Sequence, residues 1–538
     1  MAVSSKRIDF NRTPLRRRVI ASAIVIFWVC ASAASVAQPD TVLRLGNPGE
    51  PQTLDPHRYN LRLEETLLTD LFMGLTTFAA DGSTIPGVAS SWQVSDDGLR
   101  WTFKLRPDLI WSDGQPLTAD DFVFAYRRLQ APATAASLAY FMYPLKNAAA
   151  VNAGKMPGAA LGVSAPDPRT LILELEQPYP HLLERLLYPT AYPLPRHAIE
   201  AHGDNWVKAE NWVSNGAYRL QEWRPQAYVQ LTANPHYDPA PAITEVFYYP
   251  LANEQTAYNR YRAGEVDAIA TFPSGELAYA KRELSTDLRS SVQLSIMYLV
   301  FNTRVEPFSD PRVREALAMM MQPEVLTDKV QRSGNLASRS FVPAMVSDYE
   351  PVPGPQYQLS LPERLSRGKM LLAEAGYSAS RPLEITLRYI SGGETKRTAL
   401  AIAAFWKPLG VKTQLHQAEL KVHFADLRQG DFQVAQAGWI GENNAEHYLS
   451  LLISDTGDVN YGGFADNQFD ALMAAARQEA DLAERNRLLR LADERAVGLY
   501  PVVPMYSLGV RRLVNPKLRG WQNTPRDVHP VRFLSLEP

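Results

Sequence analysis

The sequence predicts an α/β protein with two or more sheet-centred lobes. Three observations carry this expectation. Short alternating apolar segments recur along most of the chain, and amphipathic or alanine-rich helical segments stand between them. No repeat, low-complexity tract or flexible linker separates the parts. Lobes without linkers exchange the chain more than once rather than sitting like beads.

In chain order, Thr41-Val-Leu-Arg-Leu45 alternates as a strand and runs into the loop Gly46-Asn-Pro-Gly-Glu-Pro51. From Glu64 to Leu75, apolar residues at Leu67, Leu68, Leu71, Phe72 and Leu75 have helical spacing. Ala89-Ser-Ser-Trp92 and Trp101-Thr-Phe-Lys-Leu105 read as a hairpin about Ser95-Asp-Asp-Gly98. Trp111-Ser-Asp-Gly-Gln115 is a turn. A helix follows with Thr118 as its N-cap, acids in its first turn, and Phe122, Ala125, Tyr126 and Leu129 on its apolar face. Short strands are predicted at 171–175, 228–232, 244–249, 266–270 and 298–302, with a helix over 257–263. Asp310 caps the next helix with Pro311 in its first turn. Strands at 383–389, 411–415 and 432–436 then alternate with helices, two helices at 468–478 and 481–496 follow, and a strand near 503–508 closes the pattern.

Composition narrows the function classes. The 538 residues are 46% apolar and 21% charged, an ordinary globular balance that excludes wholesale disorder. Forty prolines argue against a coiled coil or helical solenoid. The formal charge of −2 offers no basic excess for phosphates, so nucleic acid is not expected as a partner. The single cysteine, Cys30, forms no intrachain disulfide and no thiolate zinc site.

Residues 1–37 have the three parts of a secretory signal peptide. Lys6, Arg7, Arg12, Arg16, Arg17 and Arg18 stand against one acid, Asp9. An apolar run from Val19 to Cys30 follows, and small residues end at Ser35-Val-Ala37, after which cleavage is expected. The alternative is an uncleaved anchor, since residues 19–37 carry no charge. Cys30 sits within the apolar run and lacks the lead-in of a lipoprotein signal. The arginines fit either general or twin-arginine export. Cleavage leaves 49 basic and 56 acidic residues, an acidic exported chain expected in the periplasm.

Catalytic patterns are missing from the sequence. There is no Gly-x-Ser-x-Gly elbow, P-loop or Gly-x-Gly-x-x-Gly. His197-Ala-Ile-Glu200-Ala-His202 does not put three ligands on one helix face. Asp455-Thr-Gly-Asp458-Val-Asn460 lacks the spacing of a calcium loop. No cofactor or metal is expected. A hydrolase built on paired carboxylates remains a remote alternative.

Seven segments, taken together, carry a resemblance. They are Gly49-Glu-Pro-Gln-Thr-Leu-Asp-Pro-His57, Ala89-Ser-Ser-Trp92 through Asp108, and Trp111 through Tyr126. Further on come Asn215-Gly-Ala-Tyr218, Tyr258 through Asp267, Phe301 through Leu317, and Phe432-Gln-Val-Ala-Gln-Ala-Gly-Trp439. In this order they resemble the family-5 extracellular solute-binding proteins, the oligopeptide-binding components of ABC importers, over essentially the whole mature chain.

The resemblance implies a two-lobed periplasmic-binding-protein fold with an extra domain, mixed sheets flanked by helices and no enzymatic activity. By analogy, residues 38–62, 187–290 and 509–538 form ligand lobe I, 63–186 the extra domain, and 291–508 ligand lobe II. The implied partners are an oligopeptide and the inner-membrane permease, with the protein a monomer.

A binder indifferent to sequence must hold the peptide backbone, by strand addition, and the charged α-amine, by a carboxylate in a closed cleft. In the related proteins a loop after a Gly-Trp pair supplies main-chain contacts and an acid. Here that loop is Gly438-Trp439-Ile440-Gly441-Glu442-Asn443-Asn444, with Glu442 at the acid's position and longer by a methylene than the usual Asp. Gly438 and Gly441 suit close backbone approach, though simple turn glycines fit as well. Trp439 is expected to wall a side-chain pocket or to pack in the core. Glu50, beside Gln52, matches a second ligand-contacting position, or else is an exposed loop acid. Tyr140 and Phe141 lie near an aromatic that touches the ligand chain, or serve core packing. The chain departs from the family where Gln436 stands for an Arg and Leu420 for a Trp, and Arg428 lies one position from another Arg. A murein peptide, a dipeptide or a non-peptide cation is therefore an alternative cargo.

Overall fold

The structure, a computed structural model, describes residues 41–537. The signal-peptide and cleavage expectations lie outside the described residues.

Three larger sheets organise the chain. A seven-stranded sheet runs, in order, Leu288–Val292, Gly509–Val514, Ala268–Ile269, Val42–Asn47, Glu245–Pro250, Tyr228–Ala233 and Tyr218–Arg224. Its centre is parallel: Val42–Asn47 pairs with Glu245–Pro250 on one side and Ala268–Ile269 on the other. A six-stranded sheet runs Leu336–Ala337, Val502–Ser507, Ser295–Phe301, Val434–Ile440, Glu384–Ile390 and Lys412–Ala418. A four-stranded antiparallel sheet is built from Ala89–Val94, Arg100–Leu105, Thr170–Glu174 and Val163–Asp167.

The chain passes between the seven- and six-stranded sheets at two adjacent places. Val292 leaves one sheet and Ser295 enters the other, while Ser507 and Gly509 make the reverse step. The two crossings are hydrogen-bonded: Gln293 N–H donates to the carbonyl of Leu508 (2.9 Å), and Leu508 N–H to Ser295 Oγ (2.9 Å).

Strand periodicity explains why the six-stranded sheet is covered on both faces. Ile296, Tyr298 and Val300 enter one apolar core, and Leu299 and Phe301 the other. The seven- and four-stranded sheets share one continuous core. It holds Leu43, Leu231 and Val246 together with Phe103, Leu171 and Leu173.

Local chemistry sets the boundaries. Thr118 and Asp121 form a capping box at the start of helix Ala119–Gln130, with Thr118 N–H donating to Asp121 Oδ2 at 2.8 Å. Asp310 accepts from Arg312 N–H at 2.9 Å and caps Pro311–Met319. The helix read as far as Leu75 ends at Leu71, because Phe72 turns extended and residues 76–78 enter a short hairpin. The strand read over 432–436 spans Val434–Ile440, so the first part of the expected Gly-Trp loop is strand.

Candidate functional site

Strand Val434–Ile440 delivers the site. One edge is paired along its whole length with Ser295–Phe301, in register Phe301↔Val434 to Ser295↔Ile440. The other edge pairs with Glu384–Ile390 only at Val434 and Ala435. From Gln436 to Ile440 that second edge has no strand beside it. Ile440 is 61% exposed. Gly441 N–H donates to the carbonyl of Leu294 at 2.8 Å, tying the strand's end to the crossing segment.

Beyond it the loop is locked by its own side chains. Glu442 N–H donates to His447 Nδ1 (2.8 Å), and Asn444 Oδ1 accepts from His447 N–H (2.8 Å), capping helix Ala445–Leu449. The Glu442 carboxylate is buried, with its residue 1% exposed. Its Oε2 accepts from Arg185 Nη2 at 3.0 Å, Asn444 Nδ2 at 3.3 Å and Tyr179 O–H at 3.4 Å. Its Oε1 is buried with no donor. Burial alone raises this carboxyl, but the charge of Arg185, aided by Arg526, outweighs it and holds the group below the usual carboxylate range. Arg185 is itself anchored: Nη1 donates to the Phe141 carbonyl (3.1 Å), Nη2 to Tyr179 O–H (2.7 Å), and the guanidinium lies 5.0 Å from the Phe141 ring centroid.

Beside this pair opens a cleft of about 260 Å³. Ile440, Gly441, His447, Tyr140, Phe141 and Tyr188 line it, and Arg62, Glu65 and Arg526 supply its charges. The Arg62 end is shaped by Glu64, whose carboxylate accepts four backbone N–H groups: Gln52 (2.7 Å), Thr53 (3.3 Å), Asn60 (2.9 Å) and Leu61 (2.9 Å). One buried acid thus folds the 52–61 loop against the helix that begins at Arg62.

Of the residues expected from sequence, Ile440, Gly441, Tyr140 and Phe141 line the cleft. Glu442 and Asn444 lie just behind it. Trp439 meets His447 edge-on (5.7 Å between ring centroids), and its indole N–H is buried without a partner. A side chain on Gly438 would strike Met297, and one on Gly441 would strike Tyr448. Gln436 is buried, with Nε2 donating to the Thr395 carbonyl (3.4 Å) and its own carbonyl accepting from His423 Nε2 (2.8 Å). Glu50 and Gln52 do not reach the cleft. Glu50 accepts from Trp223 Nε1 (2.8 Å) and Gln226 N–H (3.1 Å), while the Gln52 side chain is exposed.

Sequence reasoning missed Arg62, Glu65, Tyr179, Arg185, Tyr188 and Arg526. None belongs to a motif, and Arg185 and Glu442 are 257 positions apart. Among the described residues no three His, Cys, Asp or Glu side chains gather as a metal site, and His197 pairs with Asp113 at 2.8 Å instead.

Residues 83–460 match the family model described as bacterial extracellular solute-binding proteins, family 5 middle. The chain belongs to this family.

The likeness extends beyond the matched segment. A probable deoxycholate-binding periplasmic protein of Escherichia coli is 35% identical over 515 residues, covering 94% of this chain and 96% of the relative. A periplasmic oligopeptide-binding protein of Salmonella typhimurium is 34% identical over 521 residues, with the same coverage of 94% and 96%. Among solved structures, the unliganded open form of a periplasmic murein tripeptide binding protein superposes with a TM-score of 0.83, at 32% identity over 93% of this chain and 98% of that one. The two-lobed α/β architecture expected from the resemblance is therefore the fold of this chain. Among the described residues, no helix is long and apolar enough to cross a membrane.

Proposed function

We propose that this family-5 protein is the periplasmic solute-binding component of an ABC importer, that it captures oligopeptides, and that it is not an enzyme. The observation that carries the reading is the open edge of Val434–Ile440 beside the cleft. Beyond Gln436, whose carbonyl is taken by His423, residues 437–440 have no strand on that edge, and Ile440 and Gly441 line the cavity. A peptide's backbone can add there as a strand, which serves every sequence alike. Tyr140 and Phe141, which also line the cleft, offer apolar surface to side chains without demanding any one of them.

Glu442 supplies the acid for the α-amine in this reading. Its Oε1 still lacks a donor, but Arg185 already holds Oε2. A ligand ammonium therefore shares the carboxylate with Arg185 rather than meeting a free charge. Lobe I at 38–62, 187–290 and 509–538, the extra domain at 63–186 and lobe II at 291–508 complete the proposal. The paired crossings at Gln293 and Leu508 serve as the hinge that closes the lobes and presents them to the permease.

Calorimetry with mixed tri- to pentapeptides tests it. Micromolar binding or better is expected, about −8 kcal/mol, and acetylation of the α-amine should abolish it. Full affinity after acetylation removes the role given to Glu442. Absence of any peptide binding removes the cargo.

A further inference from the structure

The charges that face the cleft are mostly positive. Arg62 and Arg526 both line it, and Glu65 is the one acid among its lining residues. His447 adds no charge at neutral pH, because burial lowers its pKa. The acid singled out from sequence, Glu442, is not a lining residue and is met by Arg185.

Both arginines keep unused donors. Arg526 spends Nη2 on Glu184 Oε2 at 2.7 Å, while its Nη1 is buried with no partner. Arg62 reaches Glu65 only at 3.6 Å, beyond a good hydrogen bond, and its side chain is 45% exposed. Glu65 and Glu184 offset the two charges in part, but a buried guanidinium N–H without an acceptor is costly, and an anion in the cleft would satisfy it.

We propose that Arg62 and Arg526 form a seat for a carboxylate of the bound solute. A carboxylate presents two oxygens in a plane, the shape a guanidinium fork matches. Tyr59, Tyr188 and Leu294 wall the same space, so the group beside that carboxylate is apolar. The carboxylate has two possible sources, the C-terminus of a short peptide or a free apolar acid. The inference rests on the cleft being the solute site and adds the chemistry of one end of the solute.

The test is titration calorimetry of the full mature chain with three probes: a tripeptide pool as free acids, the same pool as C-terminal amides, and dodecanoate. The variants are Arg62→Gln, which breaks no hydrogen bond, and Arg526→Lys, which keeps the charge facing Glu184 but loses the fork. Circular dichroism checks that each variant is folded. The proposal expects the acids to bind at least tenfold more tightly than the amides, and Arg62→Gln to erase that preference. Binding of dodecanoate alone, lost in Arg62→Gln, also supports the seat, while removing the peptide cargo. Equal binding of acids and amides, or a preference that survives in both variants, overturns the seat and leaves peptide capture standing. Failure of every carboxylate to bind overturns it too.

Discussion

Arg185 and Glu442, 257 positions apart, meet at 3.0 Å with only 11% and 2% of their side chains exposed. The arginine follows the four-stranded sheet in the chain, and the glutamate follows Val434–Ile440, one of the two middle strands of the six-stranded sheet. Removing either partner leaves a buried charge alone. Arg185→Met or Glu442→Gln should each lower stability by about 3 kcal/mol, and the double variant should recover much of that loss. Urea denaturation of the four proteins in this cycle checks it. Additive losses would show that the two side chains do not act as a pair.

The same pair sets an acid limit. The Glu442 carboxyl is held below its ordinary value, so its contribution is complete above about pH 4.5 and disappears as pH falls through the lowered value. Below pH 4.5 the wild type should lose stability more steeply than Glu442→Gln, as read from urea midpoints. Parallel curves would contradict this.

Asp493 works in the opposite direction. It is fully buried, and burial pushes its carboxyl up to about 7, against hydrogen bonds from Val352 N–H (3.3 Å) and Tyr349 O–H (3.0 Å). Between roughly pH 4 and 7 the folded state keeps a proton that the unfolded chain has lost, so stability falls as pH rises through that window. Asp493→Asn should stabilise the protein by about 2 kcal/mol at pH 8 and have little effect at pH 5. The same gain at both values would contradict the assignment.

The two glycines of the Gly-Trp segment should respond unequally. A methyl on Gly438 meets the flexible end of Met297, which can turn aside. A methyl on Gly441 meets the ring of Tyr448, which is fully buried. Gly441→Ala should cost about 1–3 kcal/mol, and Gly438→Ala clearly less. Thermal melts compare them, and equal losses would refute the distinction.

Glu50 should prove structural. Its two oxygens hold Trp223 and Gln226 of the 218–233 hairpin. Glu50→Gln should weaken stability by about 1 kcal/mol and leave peptide affinity unchanged. A tenfold loss of affinity would restore it to the ligand site.

Much of the fold was legible in the sequence because it is written in local patterns. The hairpin at 89–105, the Thr118 and Asp310 caps and the alternation in 384–390 all follow from nearest neighbours. The strands Leu288–Val292 and Gly509–Val514 were not legible. Leu288-Arg-Ser-Ser-Val292 is polar at its centre and gains its identity only by pairing with a segment over 200 positions away. At the site, the motif led to Ile440 and Gly441, and to Glu442 just behind the cleft. The arginines around them escaped notice because lone arginines in a sequence look like solvated surface. Only the fold shows Arg185 against Glu442 and Arg526 against Glu184. Glu50 shows the converse, an acid in a familiar loop whose oxygens serve its neighbours.

The most direct test of solute capture is native mass spectrometry of the mature protein purified without denaturation. A single adduct that releases and fragments as a short peptide, and that is lost when Ile440→Trp, at an exposed position on the cleft, narrows it, is the predicted result. A protein that carries no adduct and takes up none from a peptide mixture, or an adduct that survives Ile440→Trp, would contradict the account.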